Sequence, residues 1–219
     1  LGVFENLKNL IDINKKIGLE TEIITSSSQS KLMPKNINFK IFDTTLGPFE
    51  KYIKQTCEIE NTLFFSISAR YIFKKQKIEN FFKYNLVNFH ETRLPLDGGS
   101  AVFSWNIMRE DKICNHVIHL INEGIDKGPI LQSEKSVYPF FCKTPFDFKK
   151  VSDERFIICY EKFIKKLNNA RKFNLISQNK GIGRYNPRIN TIENGWIDWN
   201  MDPHDLINFI NAFDEPYEG

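Results

Sequence analysis

Apolar residues recur at near-helical spacing at the start of the chain: Val3, Phe4, Leu7, Leu10, Ile11, Ile13 and Ile17. That spacing predicts an amphipathic helix over 3–17, with Gly18 as its stop. The pattern then shortens. TEIIT (21–25) and NFKIF (38–42) read as strands separated by the polar loop SSSQS, and 48–56 as a short helix. TLFFSIS (62–68) is a third strand, rich in aromatic and β-branched residues. A Lys-rich helix over 74–83 leads to the strand NLVNF (85–89), the turn RLPLDGGS, and a helix over 100–109 for which Ser100 is the candidate N-cap. Strands over 113–121 and 129–137 flank NEGIDKG, a loop too short for a parallel crossover, so they predict an antiparallel hairpin. A long helix over 152–173 carries Phe156, Tyr160, Phe163, Ile164, Leu167 and Ala170 on one face. Residues 174–202 are polar, with Trp196 and Trp199 embedded, and a last helix covers 203–213. Strands alternating with helices predict an α/β domain with a largely parallel sheet over roughly 1–150.

Two segments carry chemistry. In LVNFHETRLP an apolar strand delivers Asn88 and His90, two apart and therefore on one face, to its C-terminal end. In HLINEGIDKGPIL a second strand runs into a Gly-bearing loop holding Asp126. Open α/β sheets place ligands at that edge, and a converging amide, imidazole and carboxylate can make an acid/base site. For an arbitrary N-x-H pair, hydrogen-bonded structure is the default. The Pro/Gly turn after His90 and the acidic loop after the next strand tip the balance to a site.

The other polar clusters carry less. His116 and His119 are three apart on a strand and face opposite sides, and Cys114 with His116 makes only two ligands, so no metal is expected. His119 is expected to pack under the Asp126 loop, and His204 to sit at the surface. Neither LDGGSAVFSW nor GIGRYN has the glycine spacing of a phosphate-binding loop. The basic runs Lys74–Lys77 and Lys165–Lys166 read as solvated helix faces rather than a nucleic-acid surface, for want of interleaved aromatics.

Composition narrows the class. The chain has 219 residues, 41% hydrophobic and 26% charged, enough for one domain with a sizeable core and a small appendage. A net charge of +3 does not by itself imply nucleic acid. No apolar run is long enough to span a bilayer, and the first residues lack the order of a secretory signal. A cytoplasmic protein is expected. Cysteines 57, 114, 142 and 159 show no C-x-x-C spacing and are read as free buried thiols. Both ends, Leu1 rather than Met and Gly219 after DEPYEG, look cut, so further segments of the natural protein are expected outside the chain.

NFHETRLPLDGG followed by INEGIDKGPIL resembles the folate-dependent formyltransferases: those acting on methionyl-tRNA, on glycinamide ribonucleotide and on nucleotide-linked amino sugars. The family pattern is Asn-x-His, a Leu-Pro turn with a nearby Gly, and an acidic loop; NGWIDWNMDPHDL is similar to the segment after the catalytic domain in the tRNA and sugar branches. The resemblance covers roughly 62–137 well, 184–219 fairly and 1–60 loosely. It departs at Thr92 and Arg93, and Gly98 stands where Arg is common, which touches the amine contacts.

The resemblance implies a Rossmann-like, mostly parallel sheet flanked by helices, with a catalytic domain over 1–175 and a linker and start of a C-terminal region over 176–219. The family's first strand would precede Leu1 and its extension follow Gly219. The implied reaction moves a formyl group from 10-formyltetrahydrofolate to a primary amine. Asn88 would stabilise the oxyanion, His90 would exchange protons, and Asp126 would support the imidazole. Tyr71, Ile72 and Phe73 with Leu120, Ile121, Gly124, Ile125 and Asp126 would form the folate pocket. GWIDW argues against the purine branch; the altered turn and modest basicity favour a nucleotide-linked amino sugar over tRNA, which stays open as a substrate. The alternatives are a methionyl-tRNA formyltransferase or a non-catalytic folate-binding module. A homodimer is compatible with the resemblance; a membrane partner is not expected.

Overall fold

The computed structural model describes residues 2–42, 47–69, 71–169, 172–178 and 181–217. The elements run α1 (Gly2–Lys16), β1 (Ile24–Thr25), α2 (Ser27–Ser30), β2 (Lys40–Ile41), α3 (Pro48–Thr56), β3 (Phe64–Ser66), α4 (Lys75–Asn80), β4 (Leu86–His90) and β5 (Asp97–Gly99). There follow α5 (Val102–Met108), β6 (Ile113–Leu120), β7 (Ile130–Val137), α6 (Pro145–Asn168), β8 (Arg184–Asn186), α7 (Thr191–Asn194) and α8 (Pro203–Ala212).

The central sheet has the order β3-β4-β6-β7. β3 and β4 are parallel, whereas β4–β6 and β6–β7 are antiparallel, the last two strands forming the expected hairpin. β1 pairs with β2 and β5 with β8, both in parallel. The fold is the α/β class that the alternation of strands and helices implies; where a largely parallel sheet was expected, the central sheet is mixed, with one parallel and two antiparallel pairings. Among the described residues no helix is long and apolar enough to cross a membrane.

Both faces of the sheet are covered, and the alternation along β4 explains how. Val87 and Phe89 point to the side of α1 and α6, where they join Leu7, Leu10, Ile118, Phe156, Tyr160 and Phe163 in the main core. Leu86 points the other way and packs with Ile78, Phe81 and Phe82 from α4 and the turn after it, and with Phe49 and Ile53 from α3. Asn88 and His90 share the face of Leu86 but lie beyond the reach of that cluster. A third cluster joins Ile107 of α5, Cys114, Tyr138 and Phe148 to Ala212 and Phe213 at the end of α8. The four cysteines are free, and Cys114, Cys142 and Cys159 are buried.

Some boundaries differ from the sequence reading. The long helix begins at Pro145, not at 152. TPFD looks like a turn but is a capping box: the Asp147 N–H donates to Thr144 Oγ1 (3.3 Å), and the Thr144 N–H donates to the Asp147 carboxylate (3.1 Å). Pro145 at the first helical position fits because no donor is needed there. Ala170, assigned to that helix from the sequence, lies outside the described residues, as do the side chains of Val3 and Phe4. Ser100 is not the cap of α5. The cap position is Ala101, with left-handed backbone (φ 53°) and no side-chain bond. Ser100 continues instead along the β5–β8 pairing, its N–H donating to the Asn186 carbonyl (2.9 Å). SSSQS closes one helical turn, with the Ser30 N–H donating to the Ser26 carbonyl.

Thr144→Ala removes one half of the capping box. It is expected to destabilise the chain by about 1 kcal/mol. For a chain of this size that lowers the calorimetric melting temperature by about 2–4 °C.

Candidate active site

Asn88 faces His119 across the β4–β6 pair. Directly opposed residues share a face of a sheet, so the two side chains meet. The Asn88 amide nitrogen lies 3.3 Å from His119 Nε2. His119 Nδ1 lies 2.8 Å from the Leu120 carbonyl, an acceptor only, so Nδ1 carries the proton and Nε2 accepts from Asn88. His119 is buried, and burial pushes its pKa down; His90 nearby lowers it further, whereas the bond to Leu120 and the charge of Asp126 oppose the shift. The strand parity read from the sequence therefore separates the histidines. His119 faces the site, while His116 points to α6, where its ring stacks on Phe89.

The loop after β6 returns Asp126 to the same place. Its Oδ2 lies 3.3 Å from His90 Nε2, and its Oδ1 lies 3.9 Å from His119 Nε2. The Gly99 N–H donates to Oδ2 (3.3 Å). Asp126 adopts left-handed backbone (φ 55°), a region that Asp enters more readily than most residues. His90 Nε2 is buried and has no hydrogen-bond partner, since Asp126 stands close enough for an ion pair but outside hydrogen-bonding alignment. Burial lowers the His90 pKa, and the Asp126 carboxylate opposes part of that shift. The imidazole is therefore neutral at neutral pH.

Two cavities meet at these residues. One, of about 180 Å3, is lined by Tyr71, Ile72, Phe73, Ile121, Gly124 and Ile125, among others. The second, of about 380 Å3, is lined by His90, Glu91, Gly99, Ser100, Ala101 and Val102, among others. Asn88 and Asp126 border both. Of the residues assigned to a ligand pocket from the sequence, Leu120 alone does not line the first cavity; its side chain packs against the main core. Tyr71 and Phe73 meet edge to face, 5.0 Å between ring centres, and so stiffen one wall.

Two glycines are required by close approach. A Cβ on Gly128 would stand 1.7 Å from the Leu120 carbonyl oxygen, the same oxygen that fixes the His119 tautomer. A Cβ on Gly99 (φ 100°) would stand 2.2 Å from the Asn186 carbonyl. Gly99 can donate to Asp126 only because its backbone lies flat against β8.

Behind the site runs a buried chain of polar groups that the sequence did not reveal. Ser152 Oγ of α6 donates to Glu91 Oε1 (3.1 Å) and accepts from His116 Nε2 (2.8 Å). Burial, then the charge of Asp153, raises the Glu91 pKa to about 7; Ser152 and Lys149 oppose the rise. Burial lowers that of His116 to about 4, so this histidine stays neutral. Cys114 Sγ lies 3.7 Å from His116 Nδ1, closing the chain. Among the described residues no group of three His, Cys, Asp or Glu could hold a metal ion. The turn after His90 is held by Asp97, which is buried. Asp97 pairs with Arg93 (2.7 Å) and Arg184, while Arg93 also bonds Asp111. His204 is exposed and pairs with Glu110 (3.1 Å).

No protein-family model matches the chain. Among proteins of known function, it is 26% identical over 133 residues to the methionyl-tRNA formyltransferase of Thermodesulfovibrio yellowstonii; the match covers 59% of this chain and 41% of that protein. The chain thus spans about two fifths of the length of that relative. Among solved structures, a 4-N formyltransferase from Francisella tularensis superposes with a TM-score of 0.76 at 20% identity, covering 96% of this chain and 86% of that one. The N-formyltransferase of Helicobacter canadensis, in complex with folinic acid and dTDP-3-aminofucose, superposes with a TM-score of 0.68 at 20% identity, covering 94% and 76%. The chain is similar in sequence to methionyl-tRNA formyltransferases over 59% of its length and shares the fold of the 4-N formyltransferase over 96% of it.

Gly128→Ala is expected to push the Leu120 carbonyl away and release the His119 ring. The predicted outcome is a melting temperature lowered by several degrees and a changed His119 tautomer, read from imidazole nitrogen shifts by NMR.

Proposed function

We propose that this chain, a relative of the folate-dependent formyltransferases, carries the catalytic centre of an enzyme that transfers a formyl group from 10-formyltetrahydrofolate to a primary amine. The observation that carries this reading is the place of Asn88, His90 and Asp126 where two cavities adjoin, with His90 Nε2 buried and unpaired. A group-transfer enzyme needs donor and acceptor on either side of its acid/base groups, within reach of one reacting carbon.

The smaller cavity suits the folate. Tyr71, Ile72 and Phe73 offer apolar surface for a flat ring, and the loop Ile121–Asp126 offers backbone donors and acceptors for its polar edge. Leu120 would act there through its backbone, by holding His119. The bound folate supplies an activated formyl carbon. The larger cavity then takes the amine, with Glu91, Gly99 and Ala101 on its wall. Its size suits a small molecule. A nucleotide-linked amino sugar is the substrate class we favour, in keeping with the modest net charge of +3. In this reading 1–175 is the catalytic domain, 176–219 begins a C-terminal region, and the reaction takes place in the cytoplasm.

The residues divide the work. Asn88 has two amide hydrogens; one is committed to His119, and the other is free to donate to the oxyanion that develops as the amine attacks. Neutral His90 takes the proton that the amine nitrogen sheds on forming its new bond to carbon, and returns it to the folate nitrogen whose bond to that carbon breaks as the oxyanion collapses. The Asp126 carboxylate, 3.3 Å away, stabilises the imidazolium so formed. Gly99 holds that carboxylate in place through its N–H.

The test is incubation with 10-formyltetrahydrofolate and a panel of amines: nucleotide-linked amino sugars, free amino sugars and methionyl-tRNA. Mass spectrometry should show a gain of one formyl group on the nucleotide-linked sugar. Formylation of the tRNA alone would replace the sugar assignment; no product from any amine would refute the enzyme reading. Asn88→Ala should lower kcat by about 10²–10³-fold, and His90→Ala by at least about 10²-fold.

The pH dependence has a definite sign. The base works when neutral, and its folded pKa lies below the ordinary histidine value. His90 should therefore titrate below its ordinary value of about 6.5, in a pH titration of the labelled imidazole followed by NMR. A midpoint above that value would contradict the burial argument.

A further inference from the structure

The chain downstream of α6 is stitched to the site. Ile176 and Ile130 exchange both backbone hydrogen bonds, 2.9 and 3.0 Å, at the start of β7. Two residues on, the Gln178 side chain turns back to the loop between β6 and β7. Its Nε2 donates to the Asp126 carbonyl (2.8 Å) and to the Gly128 carbonyl (2.7 Å). Its Oε1 is buried without a partner. Turning the amide over would set that oxygen against both carbonyls and remove both donors, so the amide is locked one way round. A buried acceptor is left unsatisfied in exchange for spanning both ends of one turn.

That turn is the strained part of the site. Asp126 holds left-handed backbone, and Gly128 sits where no side chain fits. The direction of the Asp126 side chain, toward His90 and the Gly99 N–H, follows from that backbone. Gln178 lines neither cavity, so it meets neither reactant. We infer that Gln178 is a positioning residue for the formyl transfer, a clamp whose two donated bonds keep the Asp126–Gly128 turn in the one conformation that aims Asp126 at His90. The inference rests on the proposed reaction for its kinetic consequence, and on geometry alone for its structural one.

The groups that face His90 are few. Among the described residues they are Asp126 from the loop and His119 from β6; Glu91 on the same strand is turned to Ser152 of α6. Asp126 is the group that favours the protonated imidazole, so losing its aim should lower the His90 pKa further.

The test uses the full chain with Gln178→Met, which keeps the length of the side chain and removes both donors. Gln178→Asn, one methylene shorter, stands in if the first variant does not fold. NMR titration of labelled histidine is expected to show the His90 midpoint moved to lower pH than in the unaltered protein. Steady-state kinetics is expected to show kcat reduced about 10–100-fold, with KM for the folate unchanged. A His90 titration that superimposes on that of the unaltered protein overturns the clamp, whatever happens to turnover. If the unaltered protein formylates no amine but the His90 midpoint still moves, the clamp stands and the proposed reaction fails.

Discussion

The site depends on one register, the antiparallel pairing of β4 with β6 that sets Asn88 opposite His119. Side chains alternate along a strand, so a slip of one residue would turn Asn88 and His90 into the apolar core and bring Phe89 out. Val87 and Phe89 are buried against α6, and Leu86 on the opposite face against the aromatic cluster after α4, so the slip would take all three out of their packing at once. Burying each such side chain is worth roughly 1.5–3 kcal/mol. Core packing on both faces thus fixes the position of the polar pair, and the pair begins where α3 and α4 stop covering the sheet.

Electrostatics then decides what the pair can do. Desolvation dominates at His90, His116 and His119, and lowers all three. The partners differ. His116 leads through Ser152 to Glu91 and is satisfied on both nitrogens, whereas His119 is tied between Leu120 and Asn88. His90 alone keeps a nitrogen without a hydrogen-bond partner, and it alone has a carboxylate within 3.3 Å. A neutral imidazole beside a carboxylate accepts a proton at less cost than burial alone would impose, because the charge it gains is met by one already in place. Three histidines in one sheet therefore have different chemistry, set by the atoms each one faces.

Much of this was legible in the sequence, for local reasons. Asn88 and His90 stand two apart on an apolar strand, and the loop before Gly128 is too short for anything but a hairpin return, so both ends had to meet. The opposite facing of His116 and His119 follows from parity. What could not be read depends on partners far apart in the chain. DGG and RYN have no strand pattern, yet β5 and β8 pair because Gly99 allows a backbone approach that any side chain would block. Asp97 draws in Arg93 from four residues away and Arg184 from the far end of the fold, and no spacing rule links them. The start of α6 was missed because a capping box with Pro145 looks like a turn when only apolar periodicity is followed.

The polar stretch after α6 shows where such reading fails most. Its composition is that of a linker, yet Ile176 pairs with β7, Arg184 closes on Asp97, and Asn186 takes a bond from Arg109 (2.8 Å) as well as from Ser100. Each contact falls on a segment that also borders the site: the start of the hairpin, the turn after His90, or the entry to α5. Polar side chains suit this task because the segments they hold end in exposed backbone donors and acceptors, not in apolar surface. A stretch that buries little can therefore fix the geometry of a site whose own residues come from the strands.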